Sequence, residues 1–193
     1  MALLYDRSAV KGWAKSQIPL FWERRLFIAV GVAAFLLLYF FRGVVEVFAV
    51  MAAFIVLGVA SLMYNRWIKV SLGFELVMLG TVVTGVLYGR LPAFVVGFVG
   101  LFLAEVLTDR FTYSTFISFI GIFAVAMVVP SFEPFSVTSA GIWMTLLYDA
   151  IILPGYMIMG SSPARSFLFF VTHVAFNVWV FAVFAPGIVS FMS

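Results

Sequence analysis

A chain of 193 residues in which 65% are hydrophobic and only 10% charged cannot clothe a soluble fold of its size in polar side chains. Its mean hydropathy of +1.22 makes lipid the solvent for most of it. The lack of cysteine excludes disulfides, thiol chemistry and Cys-ligated metals, and the formal net charge of +3 rests on bases placed mainly in loops, where membrane topology accounts for them without a nucleic-acid partner.

Residues 1–25 mix Tyr5, Trp13 and Trp22 with Arg7, Lys11, Lys15, Arg24 and Arg25, the composition of an interfacial N-terminal segment. The charged portion is too long for a secretory signal, and no A-x-A-like cleavage site follows. Residues 26–193 read as a single transmembrane helical domain. The apolar block Leu26 to Tyr64 exceeds one span and is interrupted by Arg42, Gly43 and Glu46. Two spans joined by a tight turn are expected, Leu26 to Phe41 and Val44 to Tyr64; the shortness of the first leaves a re-entrant pair open.

Past the polar connection Asn65 to Lys69 comes a hairpin, Ser71 to Thr108, broken by GRLP at Gly89 to Pro92. Each arm has the roughly 17 to 20 residues that a membrane crossing requires. Thr81, Gly85 and Gly89 on one arm, and Ala93, Gly97, Gly100 and Ala104 on the other, form small-residue stripes suited to close helix packing. Further spans are expected at Tyr113 to Val129, Val137 to Met159 and Ser166 to Met192. They are separated by a loop at Pro130 to Pro134, containing Glu133, and by the turn Gly160 to Arg165. Pro154-Gly155 is a place for a kink or an early end in the sixth span. The fold class is therefore all-α, a polytopic integral membrane bundle of six to seven transmembrane helices, with seven the expected count.

With a cytoplasmic N-terminus, the inner segments carry nine bases, among them Arg66, Lys69, Arg110 and Arg165, and the outer ones only Arg42 and Arg90. This obeys the positive-inside rule and describes a multi-pass protein of the cell membrane.

No phosphate loop, dinucleotide motif, nucleophile elbow or H-E-x-x-H is present. One histidine and no cysteine give no reason to expect a metal or cofactor. The informative residues are polar groups inside the spans, which are costly unless paired or hydrated. At ~1.5 Å per residue, Glu75 lies roughly 6 Å into span three and Glu105 roughly 5 Å from the end of span four, while His173 lies roughly 10 Å deep and Asp149 and Asn177 roughly 16 Å. Chain parity puts all five in the half nearer the Asp109 and Arg165 loops. His173 and Asn177 share a helix face, from which both are expected to look at Asp149. Glu105, Asp109 and Arg110 read as an interfacial ion-pair cluster, and Glu75 lies near enough to the boundary for headgroup hydration. The candidate substrate-binding residues are Asp149, His173, Asn177, Glu75 and Glu105, with Phe74, Trp143, Tyr148 and Trp179 as aromatic walls. An intramembrane enzyme using Asp149 and His173 as acid and base lacks an evident nucleophile, so no enzyme is expected.

The run IKVSLGFELVMLGTVVTGVLYGRLPAFVVGFVGLFLAEVLT resembles the second and third helices of the substrate-binding S components of energy-coupling-factor transporters, matching at Gly73, Phe74, Gly89, Gly97, Gly100 and Glu105. Ala49 and Ala53 have the A-x-x-x-A spacing by which such components touch their membrane-embedded partner. The resemblance implies a six-helix core binding a vitamin-like small molecule, energised by a T component with two ATPases. The extra N-terminal span, and bases at Arg66 and Lys69 in a loop that such components expose outside, depart from that pattern. The glycine-rich helix closing in an acid is also similar to the shape-determining MreD proteins, which implies a scaffold. The expected function is a membrane-embedded binding or transport subunit for a small molecule, with a non-catalytic scaffold or accessory subunit as the alternative. Its expected partners are the lipid bilayer and other membrane protein subunits.

Overall fold

The computed structural model describes residues 7–68, 70, 72–132 and 136–192, with side chains from residue 24 onward. Residues 1–6, Lys69 of the base count, Ser71 at the start of the expected third span, and Glu133 and Pro134 of the expected loop lie outside the described residues. So do the side chains of the interfacial segment through Trp22. Eight α-helices and no strand occur among the described residues: α1 Arg7–Phe40, α2 Arg42–Leu62, α3 Val77–Tyr88, α4 Arg90–Leu107, α5 Tyr113–Val128, α6 Val137–Ile158, α7 Pro163–Val183 and α8 Ala185–Met192. Among the described residues, five helical stretches are long and apolar enough to cross a membrane: Arg42–Arg66, Arg90–Leu107, Tyr113–Ser131, Val137–Ile158 and Pro163–Val183. The protein is a multi-pass helical membrane bundle.

The chain divides into two compact units, Met1–Glu46 and Val47–Ser193. In the first, α1 continues across residue 25 without a break. Where a turn was expected, only Phe41 separates α1 from α2. Its N–H donates to the Leu37 carbonyl at 2.9 Å and its carbonyl accepts from Val45 at 3.0 Å. That is less chain than the two to five residues joining antiparallel helices. Every side chain from residue 24 to 46 is exposed, as an apolar helix facing acyl chains requires.

In the second unit the short helix α3 is the most deeply buried. All nine residues from Val77 to Gly85 are buried, and α3 packs against α4, α5, α6, α7 and α8. A helix apolar on every side belongs in such a position. The hairpin expected from the sequence forms, turning at Gly89 with φ 89°, a conformation that costs a residue lacking Cβ little. Its stripes are packing surface. A Cβ on Gly97 would lie 2.5 Å from Thr81 Oγ1, and one on Gly85 would lie 3.2 Å from Ala93 Cβ and 2.2 Å from Val129 Cγ1. Arg90 secures this end by donating to the Met127 carbonyl at 3.2 Å.

The first arm departs from expectation. Its helix has 12 residues, about 18 Å at ~1.5 Å per residue, and does not span ~30 Å of hydrocarbon. Residues 72–76 precede it as irregular backbone. Outside partners hold this segment: Leu76 N–H donates to Ser61 Oγ at 2.9 Å, Gly73 N–H to Thr172 Oγ1 at 2.9 Å, and the Tyr64 hydroxyl to the Leu72 carbonyl. These three backbone groups find partners outside the helix, which lets the segment stay irregular.

Two other differences concern proline. α6 runs through Pro154 to Ile158, whereas the expected last span, Ser166 to Met192, breaks between Val183 and Ala185. Pro186 has no N–H for the preceding turn, and its ring crowds that turn's carbonyl.

Candidate functional site: a carboxylate–histidine–carboxylate triad beneath a polar cavity

Gly73 brings the irregular segment onto α7. A Cβ there would fall 2.2 Å from both Cα and Cβ of His173, so only glycine permits this approach. Two residues later Glu75 sits beside α7, at the start of α3. Its carboxylate accepts from Met78 N–H at 3.2 Å and 3.0 Å through its two oxygens, satisfying an orphan donor of the helix N-terminus while lying at the positive end of the helix dipole.

Glu75 Oε1 also lies 3.1 Å from His173 Nε2, and His173 Nδ1 lies 2.7 Å from Asp149 Oδ1. The segment before α3, with α7 and α6, thus contributes one member each to a continuous chain, Glu75–His173–Asp149. His173 is 0% and Asp149 1% exposed. Phe169 stacks on the imidazole at 5.1 Å, and Tyr148 flanks it at 5.5 Å, which fixes the ring plane. Each nitrogen–oxygen link needs one hydrogen. The two links thus need two protons, and with those two alone the three groups carry one net negative charge wherever the protons reside.

Above the triad lies a cavity of about 520 Å³, within the range of small-molecule sites. Glu75 and His173 reach it from below, and Tyr148, Tyr156, Ser118 and Thr115 form polar or aromatic wall. Ser118 Oγ and the Tyr156 hydroxyl are 2.5 Å apart. The mouth carries Asp109, Arg110, Gly160, Ser161 and Arg165. Two helix ends shape it by the same device. At the end of α4, Arg110 N–H bonds the Glu105 carbonyl and Asp109 N–H that of Val106; at the end of α6, Ser161 N–H bonds the Tyr156 carbonyl and Gly160 N–H that of Met157. These are Schellman caps, with Gly160 at φ 93° and, unusually, Asp109 at φ 56° in the left-handed position.

No family model, curated protein or solved structure matches this chain. The site is therefore read from its own geometry.

Of the residues singled out from the sequence, Glu75, His173 and Asp149 come together, and Glu105 lines the same cavity, accepting from Thr115 Oγ1 at 3.4 Å. Glu75 is not a hydrated boundary residue: it is 9% exposed and bound within the triad. Asn177 shares the helix face of His173 as expected, but its amide donates to the His173 carbonyl at 3.0 Å. Asn177 Oδ1 and Asp149 Oδ2 are buried without a hydrogen-bond partner among the described residues. Neither Asp149 nor Asn177 lines the cavity, so Asp149 acts on it through His173. Arg110 donates to the Ile68 carbonyl across the loops. Among the expected aromatic walls only Tyr148 lines the cavity; Phe74, Trp143 and Trp179 are 42%, 56% and 53% exposed. Tyr156, Ser118 and Phe169 were not singled out from the sequence, where nothing distinguishes them from other aromatic or small polar residues of the spans. Among the described residues no His, Asp and Glu cluster converges as a metal site; both ring nitrogens of His173 are already directed at carboxylates.

Proposed function

We propose that this protein is a membrane-embedded binding subunit for a small molecule, serving transport, with the cavity over Glu75–His173–Asp149 as its ligand site. The observation that carries this reading is the broken third span. Irregular backbone at membrane depth is tolerated where protein buries it or where it lines a cavity, and interrupted helices whose ends face a central site are a recurrent way of building transporter binding sites. Here the interruption brings a carboxylate, an imidazole and a helix N-terminus to the base of a cavity of ligand size.

The likeness to S components implies the same class of function, together with a T component and ATPases as partners. Ala49 and Ala53 are both exposed on α2, available to a neighbouring membrane helix.

Purified protein in lipid nanodiscs, screened for thermal stabilisation by a broad metabolite set, tests the proposal. A ligand should raise the unfolding temperature, and Tyr156→Phe or Glu105→Gln should weaken its effect. Absence of any stabilising ligand, with recovery in a stable complex that lacks ATPases, would favour the scaffold reading instead.

A further inference from the structure

We infer that the ligand of the cavity is a small organic cation whose ammonium group sits against Glu75. This rests on reading the cavity as a ligand site and adds the chemical class of the ligand. The charge count of the triad comes first. With only the two protons that its links need, the triad carries one net negative charge, and Glu75 is its carboxylate on the cavity lining. Among the described residues, the ion-pair contacts of Glu75 and Asp149 are with His173, while Arg110 acts electrostatically on Glu105. The N-terminus of α3 offsets part of the charge, about half an elementary charge. A carboxylate cluster buried in a lipid-embedded bundle favours a cationic counterpart.

The walls provide a second, independent observation. Tyr148, Tyr156 and Phe169 line the same cavity, and aromatic faces beside a carboxylate are how proteins commonly hold ammonium groups. Glu105 adds a further carboxylate on the approach. The bases stand at the mouth: Arg165 precedes His173 by eight residues on α7, about 12 Å along the helix. An anion driven to the base of the cavity would meet like charge there. A cation carrying an acidic group at its far end could leave that group near Arg165.

The test uses the full chain in nanodiscs and three four-carbon probes of similar size: n-butylammonium, n-butanol and n-butyrate, at matched ionic strength. Calorimetric titration should show n-butylammonium binding at least about tenfold tighter than either of the others. Glu75→Gln should weaken it about tenfold or more and Glu105→Gln several-fold, while Glu46→Gln, far along the sequence and exposed on α2, should leave it unchanged. Glu75 also caps α3, so Glu75→Gln is first checked for folding. The probe order on the unmodified protein, and Glu105→Gln, decide the matter if that variant does not fold. Preference for n-butanol or n-butyrate, with a ligand nevertheless found in the metabolite screen, would overturn the charge assignment and leave the ligand site standing. Binding of no probe and no metabolite would overturn both.

Discussion

Gly73 and His173 lie backbone against backbone, so close that a methyl group on the glycine would overlap the histidine main chain at 2.2 Å. The contact lets residues 72–76 cross α7 as irregular chain and sets Glu75 at His173 Nε2. Gly73→Ala is therefore expected to cost at least about 2 kcal/mol, within the range for overpacking a rigid contact. The obstructing atoms are backbone and Cβ and cannot swing aside. Unfolding in a denaturing-detergent titration measures the loss; a variant of unchanged stability would disprove the contact.

His173 is the member whose loss leaves most uncompensated. Removing it strands Glu75 and Asp149 as buried carboxylates, and breaking a buried ion pair from one side costs about 3–5 kcal/mol. Asp149→Asn in the His173→Ala background should recover part of that loss, whereas Asp149→Asn alone should be destabilising. The double-mutant cycle should return a coupling of about 1 kcal/mol or more. Additive effects would show that the two side chains do not interact.

Asp109 occupies a left-handed position, at φ 56°, that costs a residue with a Cβ roughly 1–2 kcal/mol. Asp109→Gly should therefore stabilise the bundle by about 1 kcal/mol in thermal unfolding. Asp109→Val should do the opposite.

The stripes of the hairpin make a graded prediction. A Cβ on Gly97 would meet Thr81 Oγ1 at 2.5 Å and Ile122 Cγ2 at 2.7 Å, but one on Gly100 would meet nothing closer than 3.9 Å. Gly97→Ala should destabilise by about 1–3 kcal/mol, and Gly100→Ala should remain within about 0.5 kcal/mol. Equal effects on detergent unfolding would mean that α3 and α4 do not pack through Gly97.

Length and hydropathy made most of this fold legible, because a bilayer demands long apolar helices and leaves few alternatives. α4, α5 and α6 begin and end close to where the apolar runs do. The same regularity hid the break in the third span. From Ser71 to Tyr88 the chain reads as one apolar stretch, and what stops the helix at Val77 is a set of distant partners, Ser61, Thr172 and Tyr64, that no local pattern reveals. Gly73 and Glu75 were visible there but fitted a hydrated helix end equally well. The break before α8 had a local signal in Pro186-Gly187 that apolar continuity outweighed. At the site, the i, i+4 spacing of His173 and Asn177 gave the correct face and a wrong partner for the amide. A helix residue can reach its own preceding turn as readily as its neighbour. Glu75 reached the triad because the segment before α3 is not helical, a tertiary fact absent from its neighbours in sequence.

His173 is the only histidine in the chain, so selective ¹⁵N labelling of histidine reports on the triad without ambiguity. In nanodiscs, both ring nitrogens are expected to show strongly hydrogen-bonded signals. Titration with n-butylammonium should shift Nε2, which faces Glu75, more than Nδ1, which faces Asp149. A ring with one nitrogen free of hydrogen bonding, or signals that stay fixed while a ligand demonstrably binds, would contradict a ligand site built over Glu75–His173–Asp149.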